Sequence, residues 1–156
     1  MSSYRERLWP APWMYLVIAL IVPATMLVFT PISLVAGVIT AIVLVAACVA
    51  LLLASAPTIA VEDGALRAGR ASIPLDLVGD ALPAHREEAR HERGPGLDAR
   101  AHLVLRGWVD PVLRVQILDP DDPAPYWLVS TRRPEELAAA IDAARAAKPS
   151  PSNTDS

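Results

Sequence analysis

At 156 residues with a formal net charge of −3, the chain has room for one ordinary domain or a small domain with an appendage. Its hydrophobic content of 53% and mean hydropathy of +0.35 exceed those of an ordinary soluble chain, and its single cysteine, Cys48, excludes an intramolecular disulfide or a cysteine-rich metal site. After the apolar region the balance is twelve basic against sixteen acidic residues, net −4, which argues against nucleic acid because phosphate backbones require a concentrated basic surface.

The hydrophobic excess lies in one window. No charged residue occurs between Arg7 and Glu62. One bilayer crossing needs about 20 apolar residues, so the window is long enough for two. With the break at Thr30-Pro31, a two-helix hairpin over 14–56 has spans at 14–29 and 32–54, preceded by an N-terminal segment, 1–13. Pro23 is expected to kink the first span without ending it. Two soluble helices of this kind would need a core that the rest of the chain cannot supply, and the hydrophobic run is far too long for a signal peptide.

Trp9, Trp13 and Tyr15 sit where an aromatic belt would lie, and Cys48 reads as a small packing residue of the second span. Arg5 and Arg7 precede the hairpin, Arg67 and Arg70 follow it, and the connection between the spans carries no charge. The positive-inside rule then puts both termini in the cytoplasm, as for a multi-pass protein of the inner (plasma) membrane.

From Thr58 the pattern becomes short alternating segments separated by turn signals. Thr58 to Glu62 leads into Asp63-Gly64, a hairpin turn pair, then Ala65 to Ala68, Gly69, and a third strand to Ile73. Leu75 to Gly79 reads as a turn and Asp80 to Ala84 as a strand. The charged stretch HREEARHERGPGLDAR reads as an exposed loop with one helical turn. In AHLVLR, Ala101, Leu103 and Leu105 are assigned to the buried face, and in VLRVQIL, Leu113, Val115 and Ile117. Trp108 falls in a turn, and Trp127 alternates within the strand YWLVS as a core residue.

An amphipathic helix begins at Pro134 with Leu137, Ile141 and Ala144 on one face. The cytoplasmic domain spans 57–148, and the polar tail 149–156 is expected to be disordered.

This order gives a membrane α-hairpin plus a small α+β domain. The domain's element order, about seven strands and a C-terminal helix, matches a pleckstrin-homology-like antiparallel β-barrel, with a five-stranded oligonucleotide-binding barrel or a β-sandwich as alternatives. On YRERLWPAPW, the two-span hairpin, VEDGALRAGRASIP and PYWLVSTRRPEELAAAI, the chain resembles the actinobacterial membrane proteins grouped as domain of unknown function 3093. The resemblance covers about Tyr4 to Ala147. It implies a small integral membrane protein with a cytoplasmic pleckstrin-homology-like module, and no activity, substrate or cofactor.

The residues themselves offer little chemistry. His85, His91 and His102, with Glu87, Glu88 and Glu92, lack the spacing of a zinc motif, and neither a phosphate-binding glycine loop nor a nucleophile elbow is present. No catalytic, metal or cofactor residue is assigned. The expected role is a non-catalytic, membrane-tethered binding or scaffolding module whose partners are the lipid bilayer and an anionic headgroup or a membrane protein; the alternative is an accessory subunit of an envelope enzyme or transporter.

Arg132 and Arg133 are the candidate contacts. They precede a helix N-terminus, where the dipole favours anions, and Arg133 occupies the N-cap position without an oxygen to cap with. Two readings stand. Glu135 or Glu136 pairs with an arginine in a solvated cap, or both guanidinium groups and the free N–H groups converge on a lipid phosphate or an acidic segment.

The orientation is testable by thiol labelling. In a Cys48→Ala background, Ser152→Cys is expected to resist an impermeant maleimide in intact cells and to react after lysis; labelling in intact cells would reverse the topology.

Overall fold

The computed structural model describes residues 4–147, which divide into two units: an apolar hairpin, Trp9–Ala56, and a β-rich unit built from the chain on both sides of it. The expected tail, 149–156, lies outside the described residues.

The hairpin contains α1 (Pro12–Ala19), α2 (Ile21–Phe29) and α3 (Leu34–Ala54). Pro12–Phe29 and Leu34–Ala54 are both long and apolar enough to cross a membrane, by length and composition. The limits differ slightly from those expected. Proline is well suited to a first helical turn, which brings the start of α1 forward to Pro12. Ser33 caps α3 by accepting the Ala36 N–H at 3.3 Å, which moves that start back to Leu34. Pro23 has no N–H to offer the carbonyl four residues earlier, and the regular helix breaks at Leu20 before resuming.

Gly37 sets how closely α2 and α3 approach. A Cβ there would stand 2.9 Å from both Met26 Cε and Phe29 Cβ, inside contact distance. Gly37 and Ala41 are the buried residues of α3 among those described, and Thr25 that of α2, its hydroxyl satisfied by the Ile21 carbonyl at 2.7 Å. Small residues at the contact let the two helix backbones approach closely.

The β unit departs from the barrel expected from the sequence. It consists of two separate four-stranded sheets. The first runs β1 (Tyr4–Arg7), β2 (Thr58–Glu62), β3 (Ala65–Ala68), β4 (Ala71–Pro74), all antiparallel. Asp63 and Gly64 both have positive φ, 54° and 71°, as the tight turn between β2 and β3 requires. Pro74 ends β4, and a 3-10 turn at Leu75–Leu77 carries the chain to the second sheet.

That sheet is ordered β5 (Val78–Ala84), β7 (Val112–Ile117), β8 (Tyr126–Ser130), β6 (His102–Val104), with α4 (Arg86–Arg93) between β5 and β6 in sequence and α5 (Pro134–Ala146) at the end. β6 lies parallel to β8, so the sheet is mixed. Leu8, Ile59, Leu66, Leu113, Trp127, Val129, Leu137 and Ile141 form one buried core between the sheets and α5.

Three further expectations are corrected. The N-terminal segment is not separate from the domain: Tyr4–Arg7 pairs with β2, Arg7 facing Thr58, and Leu8 is fully buried and donates to the Pro57 carbonyl at 3.1 Å. The charged stretch after β5 holds the two-turn helix α4, whose acidic first turn and basic last turn complement its dipole and whose Ala89 is fully buried. In the 101–106 segment one position is corrected: Leu103 is 44% exposed and its neighbour Val104 is buried, whereas Ala101 and Leu105 pack partly buried on a second apolar cluster and His102 is exposed, as the alternation has them. A three-residue edge strand carries too little alternation to fix its face. The longer β7 follows its pattern, with Leu113, Val115 and Ile117 buried, and so does α5 at Leu137 and Ile141.

Because β1 and β2 are adjacent antiparallel strands, an Asn-Gly turn between Leu8 and Pro57 can replace the whole hairpin. That shortened chain is expected to unfold cooperatively in denaturant. Residues 57–148 alone, lacking β1 and Leu8, should be less stable by roughly 2–5 kcal/mol, the usual cost of an emptied core position. Equal midpoints would show that β1 is dispensable.

Candidate site at the start of the C-terminal helix

The site is built at the end of β8, whose five residues are all buried. Ser130 and Thr131 are fully enclosed, Arg132 and Arg133 emerge, and Pro134 starts α5 at its first position. Arg133 is the N-cap residue and makes no side-chain cap bond. Its guanidinium instead pairs with Glu136 at 3.3 Å, one of the two arrangements expected from the sequence.

The residue that the sequence pattern missed is Glu6. Its carboxylate accepts the Arg132 backbone N–H at 3.1 Å on Oε1, and on Oε2 the Thr131 hydroxyl at 2.5 Å and the Tyr4 hydroxyl at 2.8 Å. The Thr131 oxygen in turn accepts the Arg133 N–H at 3.2 Å. The chain's own carboxylate therefore takes the Arg132 N–H just ahead of α5, delivered by a strand more than a hundred residues earlier in the sequence. The only local signal is the spacing of Tyr4 and Glu6, which puts both on the inward face of β1 while Arg5 and Arg7 point outward.

Tyr4 is pushed up to about 12, chiefly by burial and further by the Glu6 hydrogen bond and charge, against the opposing pull of the Thr131 hydrogen bond. Glu135, just inside α5, bonds His85 at the start of α4, and that hydrogen bond holds the carboxyl below the usual range. The corner thus draws on β1, β8, α4 and α5.

The other histidines do not join it. His91 lies on α4 with its ring against Gly96, where an added Cβ would stand 2.7 Å away, and His102 packs on Trp127 at 4.9 Å between ring centroids. A cleft of about 470 Å³ beside α4 is lined by Leu82, Pro83, Glu87, Glu88, His91 and Arg114 among others, and Arg114 is paired there with Glu92 at 3.4 Å. Among the described residues, no group of three or more His, Cys, Asp or Glu is arranged to hold a metal ion.

A family model described as "Protein of unknown function (DUF3093)" matches residues 3–141. The chain belongs to this family. The match takes in β1, the apolar hairpin, both sheets and α5 as far as Ile141, so the Glu6 corner of this DUF3093 protein lies wholly inside it. No curated protein and no solved structure matches the chain.

Removing the carboxylate with Glu6→Ala leaves the enclosed Thr131 hydroxyl and the Arg132 N–H without their acceptor, and should lower unfolding free energy by roughly 1–3 kcal/mol. Tyr4 gives a separate reading. Since its folded value of about 12 exceeds the ordinary 10.0, its contribution to stability is complete below pH 10 and is lost as pH rises through about 12. Tyr4→Phe should flatten this alkaline decline in denaturation midpoints measured against pH. Unchanged slopes would contradict the Tyr4 assignment.

Proposed function

We propose that this DUF3093 protein is a non-catalytic, membrane-tethered binding or scaffolding module: the hairpin lies in the inner membrane, and the β unit, of pleckstrin-homology-like architecture, works at its cytoplasmic surface. The observation that carries this reading is the exposure of the apolar segments. Only 6% of the first and 11% of the second is buried, and Leu27, Val35 and Leu51 are all more than two-thirds exposed. Helices in a soluble core would be covered. In lipid, that surface is the normal one.

The pairing of β1 with β2 argues against a cleaved leader. Cutting after the second apolar segment would separate β1, Leu8 and Glu6 from the strands they complete. The pleckstrin-homology-like assignment is supported by two small sheets with a C-terminal helix whose Leu137 and Ile141 enter the core, although the parallel β6 and the added N-terminal strand are departures.

At Arg132 and Arg133 the geometry favours an internal clasp over a headgroup site. Glu6 already occupies the Arg132 N–H, and Glu136 pairs with Arg133. A scaffolding module gains from such a clasp because it fixes the surface presented to a partner, and tethering raises the local concentration of any partner in the same membrane.

Two measurements test the proposal. The full chain expressed in its native membrane should remain in the pellet through alkaline carbonate extraction; release into the supernatant would remove the membrane reading. Affinity purification in mild detergent should then recover no enzyme or transporter at fixed stoichiometry. Recovery of one would replace the scaffold by the accessory-subunit role.

A further inference from the structure

The outward face of the first sheet carries Arg5, Arg7 and Arg67, and Arg70 stands in the turn at one end of that sheet, so the four arginines that flank the hairpin in sequence gather on one sheet. Strand registers align Arg5 with Ala60, Ala60 with Arg67 and Arg67 with Ser72, forming one row across β1 to β4. Arg5, Arg67 and Ser72 are exposed, whereas Ala60 between the two arginines is 3% exposed. The next row contains Arg7 opposite Thr58. Gly69 donates to the Thr58 carbonyl at 2.9 Å, which puts the Gly69-Arg70 turn at the same end of the sheet. Gly69 has a φ of +64°, the backbone that this tight turn requires, and its neighbour Arg70 is exposed.

Charge along this face is polarised. The opposite end carries Glu62, paired with Arg67 at 3.7 Å, and Asp63 in the β2–β3 turn. Arginines occupy the middle and the end where the chain leaves β1 at Arg7 and returns to β2 at Thr58. In a chain of net charge −3 such a one-sided basic face is a local exception that a general excess of positive charge cannot explain.

We propose that this face, through Arg5, Arg67 and Arg70 with Arg7 at its edge, is a docking surface for anionic phospholipid headgroups. The proposal deepens the membrane-tether reading and rests on it. The occupant follows from connectivity and charge. The apolar hairpin starts at Trp9 and ends at Ala56, each two residues from the strand ends that carry Arg7 and Thr58, so the basic end of the sheet is the end joined to the apolar segments by the shortest covalent path. Each arginine brought to an anionic leaflet favours the docked state by about fivefold. Exposed guanidinium groups suit phosphate oxygens, to which they donate in a planar fork. Arg132 and Arg133 are not needed for this surface.

The full chain in nanodiscs provides the test. Ser72→Cys, in the Cys48→Ala background, carries a fluorophore on the arginine row, and Leu118→Cys carries it on the other sheet's connecting loop as a control. Discs contain a headgroup-attached quencher in either zwitterionic lipid or a mixture with phosphatidylglycerol. Quenching at Ser72 is expected to rise at least about threefold with phosphatidylglycerol, to fall back near 1 M salt, where screening acts beyond about 3 Å, and to remain low at Leu118.

Combined Arg5→Gln, Arg67→Gln and Arg70→Gln should abolish the lipid dependence. Should the triple variant misfold, Arg70→Gln alone, in an exposed turn, should reduce it severalfold. Equal quenching in both lipids, lipid dependence that survives these substitutions, or no quenching at Ser72 would each overturn the proposal; the last would assign the face to an acidic protein segment. Co-elution of chain and disc is scored separately. Failure to co-elute refutes the membrane tether itself, whereas co-elution without Ser72 quenching refutes only the headgroup surface.

Discussion

The pairing of β1 with β2 is the constraint on which the rest of the β unit depends. Residues separated by the entire hairpin become neighbours in one ladder, with Arg7 opposite Thr58 and Tyr4 opposite Val61. This ladder brings Leu8 into the core and aligns Arg5 with Ala60 and Arg67. The same alternation that sends Arg5 and Arg7 outward turns Tyr4 and Glu6 toward the end of β8. One four-residue strand therefore supplies a core edge, a basic outer row and a carboxylate to the start of α5.

The Glu6 contact illustrates how a helix can begin with arginines. Two cations before an N-terminus face the positive end of the helix dipole, and neither can act as a cap. A carboxylate accepting the Arg132 N–H and the Thr131 hydroxyl changes the local balance, since bonds to a charged acceptor are stronger than neutral ones. Burial of Ser130 and Thr131 removes water as a substitute partner, and the Ser130 hydroxyl is itself used, accepting the Arg106 N–H at 3.0 Å.

Elements with strong local signals were legible in the sequence. The apolar window, the Asp63-Gly64 turn, the alternation of β7 and the apolar stripe of α5 each carry enough residues to fix their own geometry. β1 escaped because YRER reads as a charged flank until β2 is placed beside it. α4 escaped because its hydrophobic contact is essentially one alanine, Ala89, among eight mostly charged residues. Leu103 was placed on the buried side because a three-residue edge strand offers too little alternation to fix its face, and its parallel pairing with β8 has no local signal. At the candidate site, the arginines and the Glu136 pairing were visible from local spacing, whereas Glu6 arrives through tertiary pairing alone.

The separation of β1 from its partners also has a consequence during synthesis. Arg7 leaves the ribosome long before Thr58, and at about 5–20 residues per second the interval is several seconds; Glu6 waits longer still for Thr131. For that time the strand is an unpaired edge, the kind of surface that recruits other chains. Its sequence suits the delay. Arg5, Glu6 and Arg7 put three charges on four residues, so the waiting strand stays hydrated and repels the wrong partners until its own has been made.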